Sequence, residues 1–346
     1  MAALTVPTPN VRAPRQGEGR AIARLWRELW DVHESWGGYP GQRDERAYDR
    51  VAERVDADSR VRGNRVVLGR HLHLVADLGG EPIGQVEGWF DRYGVDPLTP
   101  YTCEVRSLIV TERARVCGAG RALLEGLARA ASDMARGAPV VLAAEVLEPN
   151  PAHTFYARVG YRHAAWCARL GARGAPAVIS PVELGGWTAR VAEAGDALPV
   201  ALLESVLAAR RRSVGDARFD PPRQVDASLL HAIASHLSRG AESPPVELVV
   251  ERGGRAHASA TLVTNRLDPP FVVQTRAILA RVVIDPAADP LPLMRPLVAL
   301  ARRVAAFFGA GWMEITDLTA PGTPLHDAAL VLGAVPWSRI VTRFAR

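Results

Sequence analysis

The chain has 346 residues, 48% apolar and 23% charged, with a formal charge of +5 and three cysteines. This is ordinary globular composition with room for two domains, and it excludes collagen-like, low-complexity and disulfide-framed chains. All 42 basic residues are arginine and none is lysine, which excludes a Schiff-base lysine, a lysine nucleophile and a P-loop lysine. No apolar run approaches the roughly 18 residues of a membrane span, and no charged leader precedes an apolar segment. The arginines are interspersed with Asp and Glu, and Arg210, Arg211 and Arg212 form the one sizeable cluster. Neither a membrane nor a nucleic-acid partner is expected, and three cysteines point to a reducing cytoplasm.

Residues 1–17 are rich in Pro, Ala and Thr and predict a flexible arm. From Glu18, the residues Ile22, Leu25, Trp26, Leu29 and Trp30 recur at helical spacing. A turn-rich stretch with Gly37, Gly38, Pro40 and Gly41 follows, then a second helix over residues 45–55. Residues 71–78 and 83–90 alternate around Gly79 and Gly80 and predict a hairpin. Residues 102–110 read as a strand, 120–135 as a helix and 140–146 as an apolar strand.

After a Gly- and Pro-containing linker at 173–186 the pattern starts again. Helices are predicted at 199–212 and 227–238, a hairpin around Gly253 and Gly254, then a strand at 275–284, a helix at 293–308 and a strand at 312–317. Glu104 and Tyr156 lie 52 positions apart, and Ile278 and Ala329 lie 51 apart. Val110 and Gly160 lie 50 apart, and Ile284 and Gly333 lie 49 apart. The element order therefore repeats at about 170 residues. The expected architecture is α+β, layered, with domains at 18–172 and 187–346, each a mixed, mostly antiparallel sheet flanked by helices.

Two segments carry chemistry. In the first, Glu104 opens a strand ending Leu108-Ile109-Val110, followed by Arg115-Val116-Cys117-Gly118-Ala119-Gly120-Arg121-Ala122. Glycines at a helix start let the backbone approach a ligand, and the free amides there attract an anion. Without lysine, the Arg115 or Arg121 guanidinium is the available side-chain partner for phosphate. The second segment holds Asn150, Ala152, Phe155, Tyr156, Arg158, Gly160 and Tyr161.

Together the segments resemble the GNAT superfamily of CoA-dependent N-acyltransferases. Arg115, Gly118 and Gly120 match its Arg/Gln-x-x-Gly-x-Gly/Ala element, and Ala152, Phe155, Tyr156, Gly160 and Tyr161 match its second helix. The likeness spans residues 18–169. It implies that the backbone of Leu108, Ile109 and Val110 pairs with the pantetheine arm of acetyl-CoA, or of another acyl-CoA. It implies that the amides of Val116, Cys117, Gly118, Ala119, Gly120, Arg121 and Ala122 hold the pyrophosphate, with Arg115, Ala152, Phe155 and Arg158 around the cofactor. Asn150 departs from the family spacing by one residue. Tyr156 matches the residue that protonates the leaving thiolate, and Glu104 matches a carboxylate that deprotonates the incoming amine.

Trp30, His33, Trp36, Tyr39 and Trp89 fall where the family walls its acceptor pocket; for Trp26 and Trp30 a helix burying its Trp face in the core is the favoured reading, and Trp36 and Tyr39, in a turn-rich segment, are the better pocket candidates. His71 and His73 alternate on their strand without a ligating partner at useful spacing, so no metal is expected. In the second half Ile278 replaces Glu104, Ala329 replaces Tyr156, and the loop 285–292 carries three prolines and two aspartates. Prolines remove amide donors and aspartates repel an anion, so this half is expected to be a degenerate, non-catalytic repeat. The resulting expectation is transfer of acetyl from acetyl-CoA to a small-molecule primary amine, by a monomer or homodimer. Two alternatives stand beside it: a secondary-metabolism or self-resistance acyltransferase using an unusual acyl-CoA or carrier-bound donor, and a CoA-binding sensor without turnover.

Overall fold

In the computed structural model, which describes residues 9–36, 46–92, 100–172, 174–220, 225–267 and 274–345, the two predicted hairpins anchor the two halves. The first half runs β1 (Asn10–Arg12), α1 (Gly19–Ser35), α2 (Arg46–Arg62), β2 (Val67–Leu68), β3 (His71–Leu78), β4 (Glu81–Arg92) and β5 (Tyr101–Val110). A 3₁₀ helix (Glu112–Cys117) then leads to α3 (Ala119–Ala135), β6 (Val140–Leu147), α4 (His153–Arg158) and β7 (Arg162–Gly171). The second half runs β8 (Val182–Leu184), β9 (Trp187–Val191), α5 (Ala197–Ser213), α6 (Ala227–Leu237), β10 (Val246–Arg252), β11 (Arg255–Leu267) and β12 (Gln274–Ile284). It ends with α7 (Pro290–Phe307), β13 (Ala310–Leu318), α8 (Pro324–Val331) and β14 (Val335–Phe344). This is the layered, mixed and mostly antiparallel α+β arrangement that the sequence predicts.

Periodicity explains the core. α1 buries Ile22, Leu25 and Trp30 along one stripe, and α3 buries Leu123, Leu124 and Leu127 against the sheet. A second core is built from β10–β13, α7 and α8 together with Ala168 and Leu170 of β7. Three departures from expectation have simple causes. The proposed arm contains β1, which pairs with β3 because Arg12 meets both Asp77, at 2.5 Å, and Glu18, at 2.6 Å. α2 runs a further seven residues, to Arg62, whose buried guanidinium bonds the Val66 carbonyl. The linker region carries β8, which pairs with β9 at the sheet edge.

The strands form one sheet in the order β1-β3-β4-β5-β6-β14-β7-β13-β12-β11-β10-β9-β8. The halves exchange their last strands. β14 runs antiparallel to β6, β7 runs antiparallel to β13, and β7 and β14 pair with each other at the centre. Both halves also carry the same irregularity. The β4–β5 register shifts at Ser107, which has φ 52°, and the β11–β12 register shifts at Arg281, with φ 56°.

Candidate active site

β5 and β6 pair in parallel from Tyr101–Val140 to Val105–Ala144 and no farther. Beyond that point β5 bulges at Ser107 while β6 continues beside β14. The strands part, leaving a cleft whose β5 edge runs along Leu108, Ile109 and Val110. Leu108 lines the resulting cavity, whereas the Ile109 side chain is buried. Val110 directs its carbonyl toward the exposed Arg115, whose Nε donates to it at 3.5 Å.

The 3₁₀ helix and α3 meet at Gly118, which holds φ 81° and has no atom within 4 Å of where a side chain would begin. That conformation favours glycine. Among the described residues, the amides of Ala119, Gly120 and Arg121 donate to no backbone carbonyl and α3 has no side-chain cap. They form the unpartnered positive end of the helix. The run of unbonded amides is thus shorter than Val116 to Ala122: Val116 and Cys117 belong to the 3₁₀ helix, and Ala122 donates to the Gly118 carbonyl at 3.1 Å. The Cys117 thiol donates to the Ala114 carbonyl at 2.9 Å. Gly120 packs against Phe155, whose ring lies 3.1 Å from where a Cβ would stand. Arg121 and Arg158 are exposed, and Arg158 Nε donates to the Thr154 carbonyl at 3.2 Å.

A cavity of about 230 Å³ occupies the cleft. Asn150, Ala152 and Tyr156 line one side, with the Asn150 side-chain oxygen accepting from the Ala152 amide at 2.9 Å. Tyr156 meets the Phe155 and Tyr161 rings edge-on, at 5.5 and 5.1 Å. Burial pushes its hydroxyl pKa well up, so the proton stays on the oxygen at neutral pH. Glu104 faces the cavity and accepts from Arg106 at 2.7 Å. Burial acts to raise the Glu104 pKa, but Arg106 and then Arg276 hold the carboxyl below its usual range. Arg276 comes from β12 and Asn265 from β11, so the second half supplies part of the wall.

Residues 25–161 match the acetyltransferase (GNAT) family. That segment is a GNAT domain. A GCN5-related N-acetyltransferase from Sphaerobacter thermophilus shares the fold of the chain along nearly the whole length, with 18% identity, 98% of this chain and 96% of that one covered, and a TM-score of 0.54. A fungal glucosamine N-acetyltransferase region, within a multi-domain β-N-acetylglucosaminidase, aligns at 12% identity over 97% of this chain and 38% of that one, with a TM-score of 0.52. A tandem GNAT protein from the clavulanic acid biosynthesis pathway aligns at 16% identity, covering 98% and 99%, with a TM-score of 0.46. No curated protein matches the sequence.

In this GNAT domain the predicted aromatic wall is partly assembled. Trp26, Leu29, Trp30 and His33 from α1 and Trp89 from β4 line the cavity. Burial lowers the His33 pKa to about 4, so the ring is neutral. Trp36 packs on His33 at 5.7 Å without lining the cavity, and Tyr39 lies outside the described residues. Sequence reading missed Glu87, Arg54, Asn265 and Arg276. The available signal for Glu87 was parity: Gln85 and Glu87 on β4 share a face with His71 and His73 on β3, an unusual polar run for a buried strand pair.

His71, His73 and Glu87 bring three ligand-type atoms within 4.8 Å of one another. The surrounding charge opposes a cation. An Arg62 Nη donates to His71 Nδ1 at 3.2 Å, which leaves the proton of the neutral ring on Nε2, and Arg54 holds Glu87 at 3.3 Å. His73 Nε2 meets the Gln85 side-chain oxygen at 2.9 Å, and burial lowers the His71 and His73 pKa values to about 4 and 3. The trio is an ion-pair and imidazole cluster.

The second GNAT-like half closes what the first leaves open. Gly160 and Gly333 share φ near 86° in the two halves, at 87° and 85°. The Tyr161 amide bonds the Tyr156 carbonyl just as the Ala334 amide bonds that of Ala329, each at 3.0 Å, which equates Tyr156 with Ala329. At the start of α7, Asp289 accepts from the Leu291 amide and Asp285 from the Ala287 amide, while Pro290 and Pro292 carry none. The Arg281 amide at the second bulge donates to Asp317 at 3.2 Å. Among the described residues, no helix of the chain is long and apolar enough to cross a membrane.

Proposed function

We propose that this protein is an acyl-CoA-dependent N-acyltransferase whose first half moves acetyl from acetyl-CoA to a primary amine of a small molecule. The observation that carries the reading is the cleft between β5 and β6, with Tyr156 lining it and the free amides that open α3 beside its β5 edge, where Gly120 lies against Val110. Those features fit coenzyme A: Ala119, Gly120 and Arg121 offer N–H groups to a diphosphate, and the free β5 edge at Leu108 offers main-chain pairing to a pantetheine amide. Acetyl-CoA supplies a thioester, whose carbonyl carbon is open to an amine lone pair. Tyr156, still protonated, gives its proton to the departing sulfur. Glu104 places negative charge in the cavity and draws in an ammonium group.

The second half is the acceptor-side wall rather than a second catalytic unit, since its anion cradle and bulge amide are occupied by Asp285, Asp289 and Asp317. The test is release of free thiol from acetyl-CoA across a panel of small primary amines, wild type against Tyr156→Phe. Amine-dependent release that falls steeply in the variant supports the reading. Coenzyme A binding by both proteins with no release above background replaces it with a non-catalytic binding protein.

A further inference from the structure

Glu87 lines the cavity beside the bulge of β5, and the inference drawn from it rests on the acyltransferase reading. It is directly across the ladder from Arg106, and the register shifts between Gln85 and Glu87 to accommodate the Ser107 bulge. Its carboxylate lines the cavity, is only 4% exposed, and lies 3.5 Å from the Ser107 hydroxyl. Glu104 pairs instead with Trp89, three positions earlier on β5, or roughly 10 Å along the strand from the bulge. Glu104 is also engaged by Arg106 at 2.7 Å, whereas Arg54 reaches Glu87 at 3.3 Å through one nitrogen.

The groups facing Glu87 come from three directions. α2 contributes Arg54, with Arg62 behind it; β3 contributes His71 and His73, whose nearest nitrogens lie 3.9 and 4.0 Å away; β5 contributes Arg106 and Ser107. The two imidazoles are held neutral and do not discharge the carboxylate. Arg54 takes one oxygen of Glu87, Oε1, while the other, Oε2, turns toward the Ser107 hydroxyl at the bulge and stays available to accept from an N–H group in the cavity.

We propose that Glu87 is the carboxylate that removes the acceptor amine's proton, directly or through one water, while Glu104 and Arg106 bind the acceptor farther out. Glu87 takes one proton from R–NH3+, the freed nitrogen lone pair forms the C–N bond as the C–S bond breaks, and Tyr156 protonates the sulfur. The second nitrogen proton restores Tyr156, and Glu87 returns its proton to solvent, so the sum is amide, free thiol and one proton.

The experiment compares Glu87→Gln, Glu87→Asp and Glu104→Gln in the full chain, using the best amine from the panel and acetyl-CoA. Glu87→Gln is expected to lower kcat/KM for the amine by about 10²- to 10⁴-fold, the usual worth of a positioned base, with coenzyme A affinity within twofold of wild type. Its log kcat/KM should climb with slope one up to the amine's own pKa, without the plateau of wild type. Glu104→Gln should act mainly on KM. Glu87→Asp, the smaller disturbance if the Gln variant folds poorly, should lose at least tenfold in kcat with KM changed less than twofold. Wild-type kcat and pH profile in either Glu87 variant overturns the assignment and leaves the acyltransferase reading standing. No amine-dependent thiol release by wild type overturns both.

Discussion

The Asp317 carboxylate accepts the backbone amide of Arg281 at 3.2 Å, at the bulge equivalent to Ser107. Asp317 also takes the Arg218 guanidinium at 2.7 Å and lies 3.6 Å from Arg211. The second cleft is therefore stitched by the protein's own charges in a buried setting, where removing a partner leaves an uncompensated ion. Titration with coenzyme A should give one site per chain. Two equal sites would contradict this account of the second half.

Gly120 has little room for a side chain, because the Phe155 ring lies 3.1 Å from the position of a Cβ and would have to give by a few tenths of an ångström even for a methyl group. Gly120→Val should push α3 and α4 apart at the cradle, with an overpacking cost of about 1–3 kcal/mol. The expected result is a Kd for coenzyme A raised at least tenfold, read by calorimetric titration, with a melting point lowered by only a few degrees.

Tyr156 packs its ring between those of Phe155 and Tyr161 and lines the cavity. Tyr156→Phe keeps the packing and removes the proton donor. Thiol release should fall by about 10²-fold or more, while coenzyme A affinity and the melting point stay near wild type.

Exchange of β7 and β14 makes each half incomplete by itself. A chain ending at residue 334 leaves β6 without its antiparallel neighbour and Glu148 without Arg339, its partner at 2.8 Å. Open edges of this kind promote association. The truncated chain should aggregate, and the full chain should melt in one cooperative transition rather than two. Two resolved calorimetric peaks would argue against mutual dependence.

Glu247 is buried beside Thr261, and burial raises its pKa from 4.5 to about 7. The native state keeps this proton to near neutrality, whereas the unfolded chain loses it near pH 4.5, so the native state binds more protons in between. Its contribution to stability therefore falls as pH rises from about 4.5 to 7 and levels beyond, by up to roughly 3 kcal/mol. Glu247→Gln should raise the melting point at pH 8 more than at pH 5. An equal change at both values would show that the group does not titrate in this window.

The β3–β4 register explains both what was readable and what was missed. His73 pairs with Glu87 in the first half, and Glu247 pairs with Thr261 at the matching place in the second. Alternation identified these strands, yet parity alone does not say whether a polar inward residue meets a cavity or a capping neighbour. Gly118 and Gly120 were legible because a left-handed turn and a tight helix contact demand glycine, whereas Tyr156 was legible through the resemblance of its helix to the GNAT pattern. Glu87 and Arg276 were not, because an acidic or basic residue on a strand is compatible with many surroundings.

By itself the sequence determined the local elements, the repeat and the glycine turn, since helical and strand periods and positive φ depend on neighbours within a few residues. Tertiary structure decided which strand lies beside which. Backbone hydrogen bonds along a strand edge are the same for any partner, so β14 joins β6 and β7 joins β13 through the packing of both faces. That choice brings Asn265 and Arg276 into a cavity built mainly by the other half.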